Sequence, residues 1–294
     1  MSDPLAISYS LLTITCSTLC FLLVTNFIMT IKGRGTQKVA IQQYRSVLSL
    51  IRNIQKHRGL SQGLIAGDKS LDSQLEKVQR DIGFCIGELS SMLKGRLLLR
   101  WDSFYDHWLR LSKSCTRGLA EDSFQQHNQM IKNLMYLSED ISYSNNLGYG
   151  DKRQDVQHYW QHLIQMTENI GQARAMGTAA LVSGEANYLQ KIRIELLASR
   201  ITASMRVASL QASDKEFKVI QHAVEPLLSV LTQVVNDASK VSYSGSSYYN
   251  LATLAIDKVC EVQDTELNKA WSSISVSVFG NAKSALPGRK NSLA

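Results

Sequence analysis

The chain has 294 residues, of which 44% are hydrophobic and only three are prolines, which excludes global disorder and argues against strand-rich sandwiches and collagen-like repeats. Its net charge of +7 fits an anionic partner, such as a small anion or lipid headgroups. Nucleic acid is not expected as a partner, because only 19% of the residues are charged and Lys and Arg form no dense run.

The first predicted element is a transmembrane helix at residues 5–31. This segment contains no Lys, Arg, Asp or Glu, and its length suffices to cross a hydrocarbon layer ~30 Å thick. A cleaved signal peptide is the alternative, but such a peptide starts with basic residues and has an apolar core of only ~7–15 residues. No basic residue precedes the apolar run here, so we expect an uncleaved, single-pass anchor.

The charges that flank this segment predict its orientation. No Lys or Arg precedes it, whereas Lys32, Arg34, Lys38 and Arg45 follow it. The positive-inside rule therefore favours a cytoplasmic location for the soluble part, with the periplasm as the alternative.

The remainder of the chain, after a break at Gly33–Thr36, has a helical pattern. In residues 71–93, for example, apolar side chains recur every three or four positions and form one seam. The same reasoning predicts eight helices, at 38–66, 70–93, 98–116, 120–147, 152–183, 186–211, 214–243 and 247–279. Because short connections favour antiparallel neighbours, we predict an all-α fold with two four-helix bundles, at about 38–148 and 152–279. Residues 280–294 lack periodicity and are expected to form a disordered tail.

The other local patterns in the sequence do not indicate a disulfide framework, a metal site or a catalytic site. The five cysteines contain no CxxC pair, so neither a disulfide framework nor a zinc ribbon is predicted. His158 and His162 lie one helical turn apart, but no third ligand is evident, so we expect a polar pair and neither a metal nor a cofactor. Asp214 is expected to cap the helix that follows it. No catalytic motif occurs, so the protein is not expected to be an enzyme.

A weak internal repeat relates residues 55–63 (QKHRGLSQG) to residues 171–179 (GQARAMGTA). Each copy has an arginine followed by small residues, which leave one side of a helix bare and allow close approach of another helix. The small residues are Gly59, Gly63, Ala175, Gly177 and Ala179. One interpretation is ordinary helix packing with an arginine reaching to the edge. The other is that the two helices meet, so that Arg58 and Arg174 face one cavity.

Two converging guanidinium groups would require an anion between them. Guanidinium is planar, permanently charged and forked, which suits a planar oxyanion. No Asp or Glu lies within the turn before either arginine, and Glu168 is on a different helix face from Arg174. Ser61, one turn after Arg58, is a candidate donor to the same anion; a small packing residue is its alternative role.

These motifs resemble those of the bacterial nitrate- and nitrite-sensing (NIT) family. The resemblance covers about residues 38–279 and is carried by QxxRGxSxG at 55–63, GQAR at 171–174 and YYNLAT at 248–253. It implies an all-helical sensor of two four-helix bundles, with nitrate or nitrite held between them by Arg58 and Arg174. Two positions depart from the family pattern, which often has an acidic residue at the position of His57 and glycine at that of Ala175.

The resemblance also implies a biological role. We expect a sensor anchored in the bacterial inner membrane, without a fused output domain, that binds nitrate or nitrite and signals to an unknown partner protein or through a homodimer. The alternative is a helical docking or scaffold protein that is tethered to the membrane and binds no ligand. An enzyme is the least favoured interpretation, because the sequence contains no recognisable group of catalytic residues.

Overall fold

The computed structural model describes residues 4–65, 67, 69–117, 119–149 and 153–283, and these residues contain no strand. Two single turns of 3-10 helix occur, at Lys69–Leu71 and Ala238–Lys240. The α-helices, in chain order, are α1 (Pro4–Ile65), α2 (Asp72–Met92), α3 (Leu97–Ser114), α4 (Ala120–Ser144), α5 (Arg153–Ser183), α6 (Tyr188–Gln211), α7 (Asp214–Asp237) and α8 (Gly245–Lys283). The predicted all-α fold class is confirmed.

Helix α1 is one continuous helix of 62 residues. The predicted break at Gly33–Thr36 is wrong, because a glycine costs a helix interior only ~1 kcal/mol relative to alanine and does not by itself end the helix. The part of α1 before residue 32 exposes large apolar side chains such as Phe21 and Met29. In the described part of the chain, α1 is the one helix apolar and long enough to cross a membrane, with a mean hydropathy of 1.5 and none of that stretch buried.

The helices form two groups. Helices α1–α4 pack on one another as the first bundle, in which α1 contacts α2 and α4, and α3 contacts α4. Helices α5–α8 form the second bundle, in which α5 contacts α6 and α8, and α7 contacts the same two helices. The bundles meet where α1 contacts α5 and α8 and where α4 contacts α5. Both copies of the repeat therefore lie on helices that form the interface between the bundles.

Amphipathic stripes and local caps account for these helices. In α7, buried Ile220, Val224, Leu227 and Leu231 recur every three or four residues and face the core of the second bundle. A capping box between Ser213 and Glu216 starts this helix. The cap is thus one residue before the predicted Asp214, which instead occupies the first turn of α7.

Most helix ends lie close to their predicted positions, and left-handed glycines explain two of them. Gly95, with φ of 60°, separates α2 from α3, and Gly184, with φ of 74°, separates α5 from α6. Helix α7 is shorter than predicted because the Asp237 side chain accepts a hydrogen bond from the backbone of Ser239 and starts a 3-10 turn. Helix α8 continues to Lys283, so residues 280–283 are helical; the rest of the predicted tail, 284–294, lies outside the described residues.

Candidate functional site

Arg58 extends from α1 into the interface between the bundles, where it is only 1% exposed. Its guanidinium forms a bidentate ion pair with Glu168 of α5, with Nη1–Oε1 at 2.6 Å and Nη2–Oε2 at 3.3 Å. Nη1 also donates to the Asn128 side chain of α4, and the guanidinium lies 5.2 Å from the centre of the Phe124 ring. The charge of Arg58 is therefore neutralised by a residue of the protein itself.

Glu168 is held by four hydrogen bonds and is 3% exposed. Two of them come from Arg58; the others come from Gln55 Nε2 to Oε2 at 3.0 Å and from Gln172 Nε2 to Oε1 at 2.7 Å. The sequence predicted that no carboxylate would neutralise the arginines, and for Arg58 that expectation is wrong. Its counterion comes from the other bundle, so neighbours in sequence gave no sign of it.

Gly171, the first residue of the second repeat copy, makes room for this ion pair. A Cβ atom at Gly171 would lie 2.9 Å from Nη2 of Arg58, closer than real Cβ contacts come. The missing side chain thus lets the Arg58 guanidinium lie directly against α5. Gly171 belongs to the GQAR motif, but the motif alone does not indicate this contact with Arg58.

Arg174 has a different environment. It is 6% exposed, its Nη1 donates to Thr253 Oγ1 at 2.8 Å, and its guanidinium lies 4.6 Å from the centre of the Tyr249 ring. Among the described residues, Arg174 forms no ion pair with a carboxylate. Burial lowers the pKa of Arg174, and the nearby charge of Arg58 lowers this pKa further, whereas Tyr249 and Asp257 act in the opposite direction.

Arg174 lines a cleft of about 460 Å³ between α1, α5 and α8. The residues around it are mainly polar or charged: Arg52, Gln55, Lys56, Arg174, Thr253, Ile256, Asp257, Cys260, Glu261 and Asp264. Several of these charges are paired, since Arg52 contacts Asp264 at 3.1 Å and Glu261 contacts Lys258 at 2.7 Å. Arg174 is the most buried cation of the cleft.

Arg58 does not line this cleft; the Gln55 side chain stands between them. Gln55 belongs to the lining of the cleft and at the same time donates to Glu168, which holds Arg58. Of the two arginines predicted to face one cavity, only Arg174 thus lines the cleft, and Gln55 connects the cleft to the carboxylate that binds Arg58.

Ser61 is directed away from the cleft. Its side chain is fully buried, beside the Cys115 thiol, whose pKa is raised by burial. Ser61 therefore faces the interior of the first bundle, because it lies on a different side of α1 from the cleft-lining Gln55 and Lys56.

The small residues of the repeat do not form one interlocking ridge. A Cβ atom at Gly59 would meet no atom within 4 Å, and one at Gly63 would meet Leu71 of the same bundle. A Cβ atom at Gly177 would lie 2.5 Å from the Tyr248 ring, also within one bundle. Ala175 and Ala179 line a second cavity, of about 330 Å³, at the other side of the interface. The interface between α1 and α5 is instead filled by the Arg58–Glu168 pair.

A pair of buried histidines next to Arg58 was not predicted. Nδ1 of His127 donates to the Ser123 carbonyl at 2.6 Å, so its Nε2 accepts from Nδ1 of His57 at 2.7 Å. Nε2 of His57 in turn accepts from Gln79 at 3.2 Å. Burial lowers the pKa of His57 to about 3 and that of His127 to about 4, so both rings are neutral. This chain of hydrogen bonds links α1 to α2 and α4.

Comparisons with known proteins agree with this architecture. A family model described as "Nitrate and nitrite sensing" (NIT) matches residues 49–269, and no curated protein matches. A solved structure, "Structure of the NasR transcription antiterminator", is similar with a TM-score of 0.68 at 13% sequence identity, over 90% of this chain and 77% of that chain. At this identity, the structural likeness supports the fold alone. The family match spans most of the sequence, and the chain therefore belongs to the nitrate- and nitrite-sensing (NIT) family.

Proposed function

We propose that the protein is a membrane-anchored sensor that binds nitrate or nitrite between its two bundles, with Arg174 as the main cationic ligand and Arg58 as the second. One observation carries this proposal: Arg174 is a buried cation that has neutral partners and lines a cleft. Arg174 contacts no carboxylate among the described residues, and Asp257 of the cleft offsets only part of the cost of burying its charge, which a bound anion would reduce. Nitrate and nitrite are planar oxyanions, which match the guanidinium fork.

The partners of Arg174 orient it for this task. The Thr253 hydroxyl accepts from Arg174 and donates its own proton to the Tyr249 carbonyl at 2.8 Å. This arrangement fixes Nη1 against α8, and it leaves the hydroxyl without a proton for a ligand. The Tyr249 ring covers one face of the guanidinium, so a ligand would approach the edge of the fork.

The family adds the class of ligand, because it is described as nitrate and nitrite sensing. The geometry adds a route for the signal. Helix α1 carries both the apolar N-terminal segment and Arg58, so an anion that repositions Arg58 would shift one continuous helix. We propose that this movement passes to a partner protein or between two copies of the chain, with the bundles on the cytoplasmic side.

The test is a melting experiment on the full chain in detergent micelles. Nitrate, nitrite, chloride and sulfate are titrated separately at fixed ionic strength. Saturable stabilisation by nitrate or nitrite is expected, with loss of this effect in Arg174→Ala. Arg193→Ala serves as the matched control, because Arg193 is a half-exposed arginine of the same bundle outside the cleft. The sensor role is excluded if no anion shifts the midpoint selectively while Arg174→Ala folds normally.

The Arg58–Glu168 pair favours a second candidate function. An arginine that is neutralised by the protein itself needs no ligand, as expected for a membrane-tethered docking module that binds no anion. In that case the four anions would give equal and small shifts, and Arg174→Ala would not change them.

A further inference from the structure

Glu168 occupies the position on Arg58 that a bound oxyanion would take. Its carboxylate is planar, carries one negative charge and presents two oxygens to Nη1 and Nη2, as nitrite or nitrate would. We propose that Glu168 is a built-in competing anion, which holds Arg58 in the empty domain and is displaced from it by the ligand. This inference rests on the proposed function and concerns its regulation.

The layout of the site supports such an exchange. The Arg174 cleft and the Arg58–Glu168 pair are separated by Gln55, whose amide donates to Glu168 and also lines the cleft. Rotation of the Gln55 side chain, together with release of Glu168, would therefore let an anion on Arg174 reach Arg58. The two arginines are near enough for the charge of Arg58 to act on Arg174.

Both members of the pair keep partners after they separate. Gln172, one turn along α5, donates to Oε1 of Glu168 at 2.7 Å and moves with the same helix. Asn128 accepts from Nη1 of Arg58 and belongs to the first bundle, like Arg58 itself. Each charge thus keeps one neutral hydrogen-bond partner, and the loss of the counterion of Glu168 is the cost that the bound anion must offset.

The charges of the site favour the same sequence of events. Glu168 neutralises Arg58 directly, whereas Arg174 contacts no carboxylate among the described residues and is opposed only at a distance by Asp257 of the cleft. Displacement of Glu168 also breaks an ion pair between α1 and α5. Nitrate or nitrite binding would therefore loosen a contact between the two bundles and change how α1 packs on α5.

The experiment is calorimetry of nitrate binding to the full chain in detergent micelles, with Glu168→Gln as the main variant. Glutamine has nearly the same size as glutamate, and its one oxygen can still accept from either Gln55 or Gln172, but it lacks the charge that competes for Arg58. We expect at least tenfold tighter nitrate binding in Glu168→Gln. Glu168→Asp keeps the charge but withdraws it by one methylene, so its affinity is expected to be intermediate. An equal or weaker affinity in a folded Glu168→Gln protein would overturn the proposal.

Glu266→Gln is the matched control. Glu266 is an equally buried carboxylate, 1% exposed and paired with Lys269, and it does not line the cleft. Its replacement is expected to leave nitrate affinity unchanged. Circular dichroism of each variant identifies any that fail to fold. If Glu168→Gln fails to fold, the nitrate affinity of Glu168→Asp is compared with that of the wild type instead.

The outcomes distinguish this inference from the sensor role. Nitrate binding that depends on Arg174 but is unaffected by Glu168→Gln would support the sensor and exclude the competing anion. Binding in Glu168→Gln but not in the wild type would support the competing anion and contradict the sensor role of the unmodified chain. An absence of binding in both would contradict both proposals.

Discussion

The two arginines of the internal repeat occupy related positions at the interface but have opposite environments. Arg58, in the first bundle, is bound by a carboxylate of the second bundle, whereas Arg174, in the second bundle, has a hydroxyl and an aromatic ring as partners. The repeat thus preserves where an arginine lies and not what neutralises it. Two similar cations take different roles because the residues that contact them come from other helices.

The residues after each arginine differ in the same way. In the first copy Gly59 borders open space, while in the second copy Gly177 lies against Tyr248. The Tyr248 hydroxyl donates to the Ala173 carbonyl at 2.8 Å, so its ring is fixed against α5. The free space thus differs between positions within each copy, because a Cβ atom at Gly63 of the first copy would meet Leu71, whereas Ala175 of the second copy lines a cavity.

The largest expected effect concerns stability after removal of each arginine. Arg58→Ala would leave Glu168 buried without its counterion, and removal of one partner of a buried pair costs about 3–5 kcal/mol. Arg174→Ala removes one hydrogen bond and a cation that had no counterion, so its cost stays below about 1.5 kcal/mol. Chemical denaturation of the full chain in detergent micelles, followed by circular dichroism, measures the loss of unfolding free energy in both variants. Equal losses would show that the two environments are not different in energy.

Acidification should act on the first copy, which has His57 beside its arginine where the second has Ala173. The folded pKa values of His57 and His127 lie below the unfolded value, so the unfolded chain binds more protons as the pH falls. Stability is therefore full above about pH 6.5 and decreases below it, by up to about 1.4 kcal/mol per pH unit for each histidine, until the folded pKa values are reached. Unfolding measured from about pH 7 to about pH 5 should show this slope.

His57→Gln tests whether this slope arises from the pair, because it removes one of the two imidazoles. The slope should become shallower in His57→Gln and stay unchanged in His222→Gln, which alters an exposed histidine of α7. A slope that is the same in all three proteins would exclude the buried pair as its cause.

Anion affinity should depend on the geometry of Arg174 and not only on its charge. Arg174→Lys keeps the positive charge but loses the planar fork. Loss of a charge-assisted hydrogen bond worth about 1.5–3 kcal/mol weakens nitrate binding roughly tenfold to a hundredfold. Calorimetry with the wild type, Arg174→Lys and the control Arg193→Lys measures this. Undiminished affinity in Arg174→Lys would show that charge alone holds the anion.

The small residues provide a finer comparison. Gly177→Ser gives the second copy the residue that the first copy has at Ser61. Its Cβ would meet the fixed Tyr248 ring, and such overpacking costs typically about 1–3 kcal/mol. A lower melting temperature is expected, and an unchanged one would mean that Tyr248 moves freely.

Gly59→Ala makes the reciprocal change, because it gives the first copy the residue of Ala175. A Cβ at this position meets nothing within 4 Å, so the substitution should stabilise helix α1 by up to about 1 kcal/mol. The same melting experiment measures the increase. Destabilisation would indicate that the first copy is as tightly packed as the second.

The sequence alone was sufficient for the helices and for which of them carry the arginines. Helical periodicity and left-handed glycines such as Gly184 are local signals, so they predicted most helix ends. The counterion of Arg58 was not predictable in this way, because Glu168 reaches it across the interface between bundles. The surroundings of Ser61 were not predictable either, since its position one turn from Arg58 does not determine which neighbour it faces. Periodicity determines a helix, whereas the site depends on how helices meet.

A crystal structure of the full chain grown with nitrate tests the central claim most directly. We predict a planar anion within hydrogen-bond distance, about 2.7–3.2 Å, of the guanidinium groups of both Arg174 and Arg58. Glu168 should then be turned away from Arg58 and remain bound to Gln172. An intact Arg58–Glu168 pair, with no anion at Arg174 in crystals saturated with nitrate, would contradict it.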